Sequence, residues 1–261
     1  MICVAGPCVI ENENVLFAVA ERLVELQQTF PDVKFYFKSS YKKANRTKLN
    51  SFQGLDRIEA LKMLATVKEK YGLQLLTDVH ESWECDEVAS YVDVLQIPAF
   101  LCRQTDLLIA AGKTGKTINI KKGQFMSPEA MQFAVEKVQS TGNFNVWLTE
   151  RGTTFGYDRL VVDMTGIPAM KKIGVPVLID ATHSLQRPNQ ASGVTGGDPA
   201  MIQTIALSAI VAGADGIFVE THPNPSEALS DAATQLPLHE LPLLFHNVKQ
   251  TYDFMRTIIF E

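Results

Sequence analysis

Eight side chains able to do chemistry punctuate this chain: Cys8, Lys38, Asp78, Gln96, Lys121, Arg151, His183 and Glu220. A thiol, an imidazole and a carboxylate are donors for a borderline transition ion. Lysines and an arginine are what a small multivalent anion requires. Each of the eight closes a short β-branched or aliphatic run: V-A-G-P-C, V-K-F-Y-F-K, L-Q-L-L-T-D, V-D-V-L-Q, T-I-N-I-K, V-W-L-T-E-R, P-V-L-I-D-A-T-H and G-I-F-V-E. Segments with helical spacing of apolar residues lie between the runs. Eight β-then-α units with functional groups at the carboxyl ends of the strands describe a (β/α)₈ TIM barrel, an α/β fold whose strand ends meet at one mouth. Residues far apart in sequence become neighbours there, so the pattern indicates both an enzyme and the position of its active site.

The elements that must position these groups follow from periodicity. Strands are expected over 2–5, 33–38, 73–77, 93–97, 117–121, 145–149, 175–180 and 216–220. Helices are expected over 14–28, 55–71, 82–90, 104–113, 128–140, 165–173 and 199–213, with a last one near 239–256. Ser127-Pro128 with Glu129, Asp198-Pro199, and Ser82 with Glu84 are helix-start signals, and Gly72, Gly115, Gly142, Gly174 and Gly213 fall at helix ends. No low-complexity tract divides the chain, so a single domain over 1–261 is expected, with no room for an N-terminal regulatory domain. Three connections, 39–54, 150–164 and 181–198, are longer than a usual βα loop, and all follow strand carboxyl ends. The last, with Ser192, Gly193, Thr195, Gly196 and Gly197, has the composition of a lid, although a plain surface loop has it too.

At 261 residues, 46% hydrophobic and 20% charged, the chain is the size of one barrel with an ordinary core. No apolar stretch approaches a membrane span, and no basic-then-apolar leader is seen. Cys3, Cys8, Cys85 and Cys102 show no framework spacing, which points to reduced thiols and a cytoplasmic protein. The net charge of −5 and pI of about 5.6 argue against nucleic acid as partner. Yet Lys38, Lys42, Lys43, Arg46 and Lys48 crowd together after the second strand, and Arg103, Lys121, Lys122 and Arg151 follow later ones. One such run is usually a solvated face. Its recurrence after four strands of an acidic protein indicates a mouth that focuses a small anion.

Closure of a barrel places strands seven, eight and one side by side, which brings together His183, Glu220 and Cys8; Asp231, in the loop after strand eight, can reach the same point. That mixed set suits one divalent transition ion (Fe, Zn, Mn or Co) and disfavours Ca. A lone buried Cys is usually a small hydrophobe, the reading assigned to Cys3, Cys85 and Cys102. His239 and His246 are likewise read as structural, whereas His80 and His222 lie beside the mouth and stay open.

The motifs G-P-C-V-I-E (6–11), K-S-S-Y-K-K-A-N-R-T (38–47), T-D-V-H-E (77–81), I-P-A-F-L-C-R-Q-T-D (97–106), K-K-G-Q (121–124), E-R-G-T-T-F-G-Y (150–157), D-A-T-H-S-L-Q (180–186) and E-T-H-P-N-P (220–225) run in order along the chain. With them the chain resembles the 3-deoxy-D-manno-octulosonate 8-phosphate synthases, in their metal-dependent branch. The resemblance implies an aldol-type condensation of phosphoenolpyruvate with D-arabinose 5-phosphate that releases phosphate, for lipopolysaccharide core biosynthesis, in a homotetramer. By matching position, Lys43, Lys121, Arg151 and His183 would hold phosphoenolpyruvate, with Lys38, Gln124 and the strand-end Gln96 close by. Asn45, Arg46 and Thr47 match the clamp on arabinose 5-phosphate, and Arg103 matches a residue reaching the sugar phosphate of a neighbouring subunit. Cys8, His183, Glu220 and Asp231 match the metal ligands; the metal-free branch carries Asn in place of the Cys. Lys43, Asp78 and His183 are the candidates for chemistry, with His80 beside Asp78. Two departures stand out: Thr47-Lys48 where Ser-Ser is common, and Asp198-Pro199 after Gly197 where an arginine is often found.

Three alternatives stay in view. A 3-deoxy-D-arabino-heptulosonate 7-phosphate synthase, using erythrose 4-phosphate, shares the barrel and the metal set but typically reads K-P-R-T where this chain reads K-A-N-R-T. A Schiff-base aldolase would need a strand-end lysine of depressed pKa, for which Lys121 beside Lys122 qualifies. A non-catalytic binding barrel would have no use for both a metal set and an anion clamp.

Overall fold

The computed structural model describes residues 1–157, 159–188, 190 and 195–258. The expected strands form as β1 (Ile2–Gly6), β2 (Lys34–Lys38), β3 (Gln74–Asp78), β4 (Val94–Ile97), β5 (Thr117–Lys121) and β6 (Val146–Glu150). Next come a short hairpin, β7 (Thr153–Phe155) and β8 (Arg159–Val161), then β9 (Val177–Asp180), a two-residue ladder of β10 (Gln186–Arg187) with β11 (Gly196–Gly197), β12 (Gly216–His222) and β13 (Leu236–Pro237). All pairings in the order β1-β2-β3-β4-β5-β6-β9-β12 are parallel, and β12 returns to β1 in register Gly6 with Glu220. That closure makes the eight-stranded TIM barrel.

Helices α1 (Glu13–Thr29), α2 (Arg57–Tyr71), α3 (Cys85–Ala89), α4 (Thr105–Lys113), α5 (Gln132–Gln139), α6 (Gly166–Lys171), α7 (Ile202–Val211) and α8 (Leu241–Met255) surround it. The Ser127 hydroxyl accepts from the Ala130 amide at 3.3 Å, as its start signal implies. Asn12 and Asp56, unremarked in the sequence, cap α1 and α2 in the same way. The five helix-end glycines all take left-handed φ, from 69° to 100°. The expected helix over 82–90 is interrupted: Ser82–Glu84 is a 3₁₀ turn, because the Glu84 carboxylate folds back onto the His80 and Glu81 amides. The hairpin β7–β8 lies inside a stretch read as loop; three-residue strands leave little periodic signal.

Strand alternation decides what reaches the mouth. Cys3, Ala5, Phe35, Phe37, Leu75, Ile217 and Val219 face the helices in the large core, whereas Val4, Tyr36, Leu76, Val94, Trp147, Leu178 and Phe218 form a separate cluster inside the barrel. Two residues beyond these inward side chains, on the same face, stand Lys38, Asp78, Gln96, Thr149, Asp180 and Glu220. The apolar plug is thus the floor on which the polar site rests.

Candidate active site

Cys8 lies just past β1, held by its amide on the Gln235 side-chain oxygen at 3.3 Å. Its sulfur lies 3.1 Å from Asp231 Oδ2 and 3.2 Å from Ser230 Oγ. Cys8, Glu220 and Asp231 offer ligand atoms all within 4.8 Å of one another, a cluster that could hold a metal ion. Asp231 is the one non-glycine among the described residues with positive φ, at 50°. Such backbone costs free energy and is retained where the surroundings enforce it.

His183 joins this cluster at its edge, its Nε2 being 3.6 Å from Glu220 and 3.9 Å from Asp231. The strand expected over 175–180 ends at Asp180 as read, and His183, taken as closing that run, occupies the 3₁₀ turn that follows. Asp180 makes that placement. Its Oδ1 accepts from the Thr182 amide and hydroxyl and the His183 amide, while Oδ2 meets His183 Nδ1 at 2.7 Å and pairs with Lys121. Donation from Nδ1 to a carboxylate leaves the Nε2 lone pair facing the cluster, the arrangement of a metal-binding imidazole.

The donor set fits a divalent transition ion. Glu220 Oε2 is buried with no hydrogen-bond partner. Burial, with the Asp231 and Glu220 charges beside it, pushes the Cys8 thiol well above its usual pKa. Three acidic groups packed this closely repel one another unless a cation joins them, and a bound cation would reverse the shift on the thiol.

Cations ring the other side. Lys38 donates to Glu220 Oε1 at 2.6 Å and to the Cys8 carbonyl at 2.8 Å. Lys43 sits 4.0 Å from both Glu220 and Asp231; burial disfavours its ammonium, but the Cys8, Glu220 and Asp231 charges win and raise its pKa well above the ordinary value. Burial lowers the pKa of Lys121, the property a Schiff-base lysine needs, yet its nitrogen is engaged by Asp180. Arg151 donates to Gln186 Oε1 at 2.6 Å, and Gln186 Nε2 donates to Asp231 at 3.2 Å, tying the anion and metal sides together. Asp78 meets His80 Nε2 at 3.0 Å. Burial opposes its charge, but the His80 hydrogen bond and the Lys38 and Lys43 charges hold its carboxyl far below the usual range.

These groups face two cavities that share walls. A chamber of about 70 Å³ is lined by Lys38, Asp78, Gln96 and Lys121, among others. A mouth cavity of about 420 Å³ is lined by Arg46, Thr47, Thr195 and Asp231, among others. Lys43, Asn45, Gln124, Arg151 and His183 border both. Arg46 reaches across to donate to Ser230 Oγ at 2.6 Å and to the Leu229 carbonyl at 3.2 Å. Arg103 stands apart, exposed and outside both cavity walls. Of the supposed lid, Thr195 lines the mouth and Gly196–Gly197 pairs with Gln186–Arg187; Ser192 and Gly193 lie outside the described residues. His222 is buried 3.7 Å from Glu11, away from the cavity walls.

Asp180, Ser230, Gln186 and Gln235 are the site residues that the strand-end pattern passes over. Asp180 carried a signal, a carboxylate closing the aliphatic run V-L-I; Ser230 and Gln235 sit in a loop and Gln186 in a two-residue strand, all without periodicity.

Comparison with known proteins agrees with this geometry. The model of the DAHP synthetase I family matches residues 1–257. A Trichlorobacter lovleyi protein named 2-dehydro-3-deoxyphosphooctonate aldolase is 47% identical over 249 residues, covering 95% of this chain and 91% of its own. Proteins of the same name from Protochlamydia amoebophila (44% over 256 residues; 98% and 93% covered) and Campylobacter jejuni (48% over 252 residues; 92% of each) are similar. The chain therefore belongs to the DAHP synthetase I family, among its 2-dehydro-3-deoxyphosphooctonate aldolases, the octulosonate 8-phosphate synthases that its motifs resemble.

Proposed function

We propose that this protein condenses phosphoenolpyruvate with D-arabinose 5-phosphate and water to give 3-deoxy-D-manno-octulosonate 8-phosphate and phosphate. The observation that carries the reading is a pair of cavities sharing walls of Lys43, Arg151 and His183, ringed by cations and bordered by Asp231 of the Cys/Glu/Asp cluster, with Asn45 and Arg46 in their lining. Lys38, Lys43, Lys121 and Arg151 offer point charges and a planar fork to a phosphoenolpyruvate trianion, with Gln96 and Gln124 as neutral partners. Asn45, Arg46 and Thr47 would hold the sugar phosphate, which places the aldehyde towards the enol carbon. Such alignment of two anions on a rigid barrel supplies several kcal/mol of the barrier reduction.

In the reaction the enol C3 attacks the aldehyde carbon, the aldehyde oxygen takes a proton, and water adds at C2 as positive charge develops there. The resulting tetrahedral centre expels phosphate by breaking its C2–O bond. Asp78, kept ionised, and His80 beside it would handle the proton of the water. Lys43 and His183 border both cavities and would act on the carbonyl being attacked. A divalent ion (Fe, Zn, Mn or Co) held by Cys8, His183, Glu220 and Asp231 would supply Lewis-acid polarisation in this site.

The reading further includes one catalytic domain over 1–261, a homotetramer in which Arg103 reaches a neighbour's sugar phosphate, a cytoplasmic location and a product destined for the lipopolysaccharide core. Four free cysteines and the lack, among the described residues, of a helix long and apolar enough to cross a membrane are in keeping with the location.

Phosphate release from phosphoenolpyruvate should be orders of magnitude faster with arabinose 5-phosphate than with erythrose 4-phosphate, because a site built to bond a substrate hydroxyl rejects an analogue that leaves its polar groups unpaired. Comparable or reversed rates in this paired assay would overturn the octulosonate assignment in favour of the heptulosonate one.

A further inference from the structure

We propose that Phe218 is a positioning residue for the phosphoenolpyruvate site, its ring face seating the cations that bind the anion. The inference rests on the phosphoenolpyruvate reading and adds a residue with no polar atom to it. Phe218 is fully buried on β12 and belongs to the inward cluster that floors the site. The Lys121 ammonium stands 3.8 Å from the ring centroid and the Lys38 ammonium 5.7 Å from it. The His183 ring lies 6.0 Å away, tilted by 53°. Lys38 comes from β2, Lys121 from β5 and Phe218 from β12, so one ring gathers groups from separate arcs of the barrel.

Both ammonium groups are withdrawn from water and repel each other. Each has one buried carboxylate partner, Glu220 for Lys38 and Asp180 for Lys121. Beyond these carboxylates Lys38 has the Cys8 carbonyl at 2.8 Å and Lys121 lies 3.4 Å from His183 Nδ1, and both ammonium groups stand over the Phe218 ring of the floor. An aromatic face carries negative potential, and a cation within about 6 Å of its centroid is attracted to it, most strongly where water is excluded. A leucine in the same place would be apolar but would leave Lys121 without that attraction. The other two aromatic rings of the floor, Tyr36 and Trp147, pack edge to face on each other with centroids 5.0 Å apart. Phe218 is the member of the floor that meets the lysines.

The inference separates from plain packing by fluorination. Phenylalanine analogues with one, two and three ring fluorines, placed at position 218 by genetic-code expansion, drain the negative face while nearly preserving volume. Calorimetric titration of each variant with phosphoenolpyruvate should show the dissociation constant rising stepwise, to about tenfold for the trifluoro ring. The Michaelis constant for the sugar phosphate and the melting temperature should stay unchanged. Phe218→Leu should also weaken phosphoenolpyruvate binding, but it opens a cavity, so the fluorinated series carries the decision. Affinity indifferent to fluorine would make Phe218 a packing residue and overturn this proposal alone. Failure of the unmodified protein to bind phosphoenolpyruvate would overturn the functional reading and take this inference with it.

Discussion

Cys8 is one of four buried free cysteines, and its surroundings set it apart from the others. Burial alone dominates the raised pKa of Cys3, and burial with two nearby carboxylates pushes the Cys85 thiol up to about 12. Around Cys8 the neighbours are Asp231, Glu220, Ser230 and two lysines, a polar shell that a packing residue does not need. Cys8→Ser should weaken retention of the metal by at least about a hundredfold, since the loss of a partner that merely orients a ligand already costs up to that much. Elemental analysis before and after dialysis against a chelator measures it, with Cys3→Ser, Cys85→Ser and Cys102→Ser as controls that retain full stoichiometry. Equal metal content in Cys8→Ser would remove Cys8 from the ligand set.

At the scale of elements, strand alternation and close approach between strands set the site. An added Cβ at Gly6 would lie 1.9 Å from the Lys38 carbonyl oxygen, so β1 and β2 can meet at their carboxyl ends only with glycine there. Gly6→Ala should cost at least about 3 kcal/mol by denaturant unfolding, because backbone rather than a flexible side chain must move. An unchanged midpoint would mean that the two strand ends part freely. The turn after β3 is held by Glu84, whose Oε2 accepts from the Tyr41 hydroxyl at 2.8 Å and from the His80 and Glu81 amides at 3.0 and 3.1 Å. Burial opposes the Glu84 charge, but these hydrogen bonds lower its pKa below the ordinary carboxylate value. A depressed folded-state pKa contributes stability above the unfolded value of about 4.3 and loses it as pH falls through the folded value. Glu84→Gln should therefore cost about 1–3 kcal/mol at neutral pH. The gap to the parent protein should close on acidification below about pH 4. A gap constant with pH would show that the charge contributes nothing.

The whole molecule carries a net charge of −5 yet turns lysines and arginines into two cavities that share walls, a distribution suited to focusing small anions. Among the proposed substrate-binding residues, Arg103 is the one that lines neither cavity. That exposed position is what a residue serving a neighbouring subunit would occupy. Arg103→Ala should raise the Michaelis constant for the sugar phosphate by roughly tenfold or more, the worth of a lost charge-assisted contact, and leave that for phosphoenolpyruvate nearly unchanged. Sedimentation of the parent protein provides the check: a fully active monomer would exclude a role for Arg103 across subunits.

The barrel was legible along the chain because buried parallel strands are short aliphatic runs that end abruptly at polar groups, and Lys38, Asp78 and Lys121 each mark such an end, whereas β12 runs two residues past Glu220 to His222. Donor type together with placement on adjacent strands nominated Cys8, His183 and Glu220, with Asp231 in reach from the following loop, and the family resemblance implied the same four. What the chain could not display is contact between loops, which has no period. That Asp180 locks the His183 imidazole, that Gln186 joins Arg151 to Asp231, and that Arg46 docks on Ser230 are contacts of the folded chain. The seat of Lys121 over Phe218 is another. Residue types and their order determined which groups arrive at the mouth. Only the closed sheet, by bringing β12 against β1, decided which of them touch.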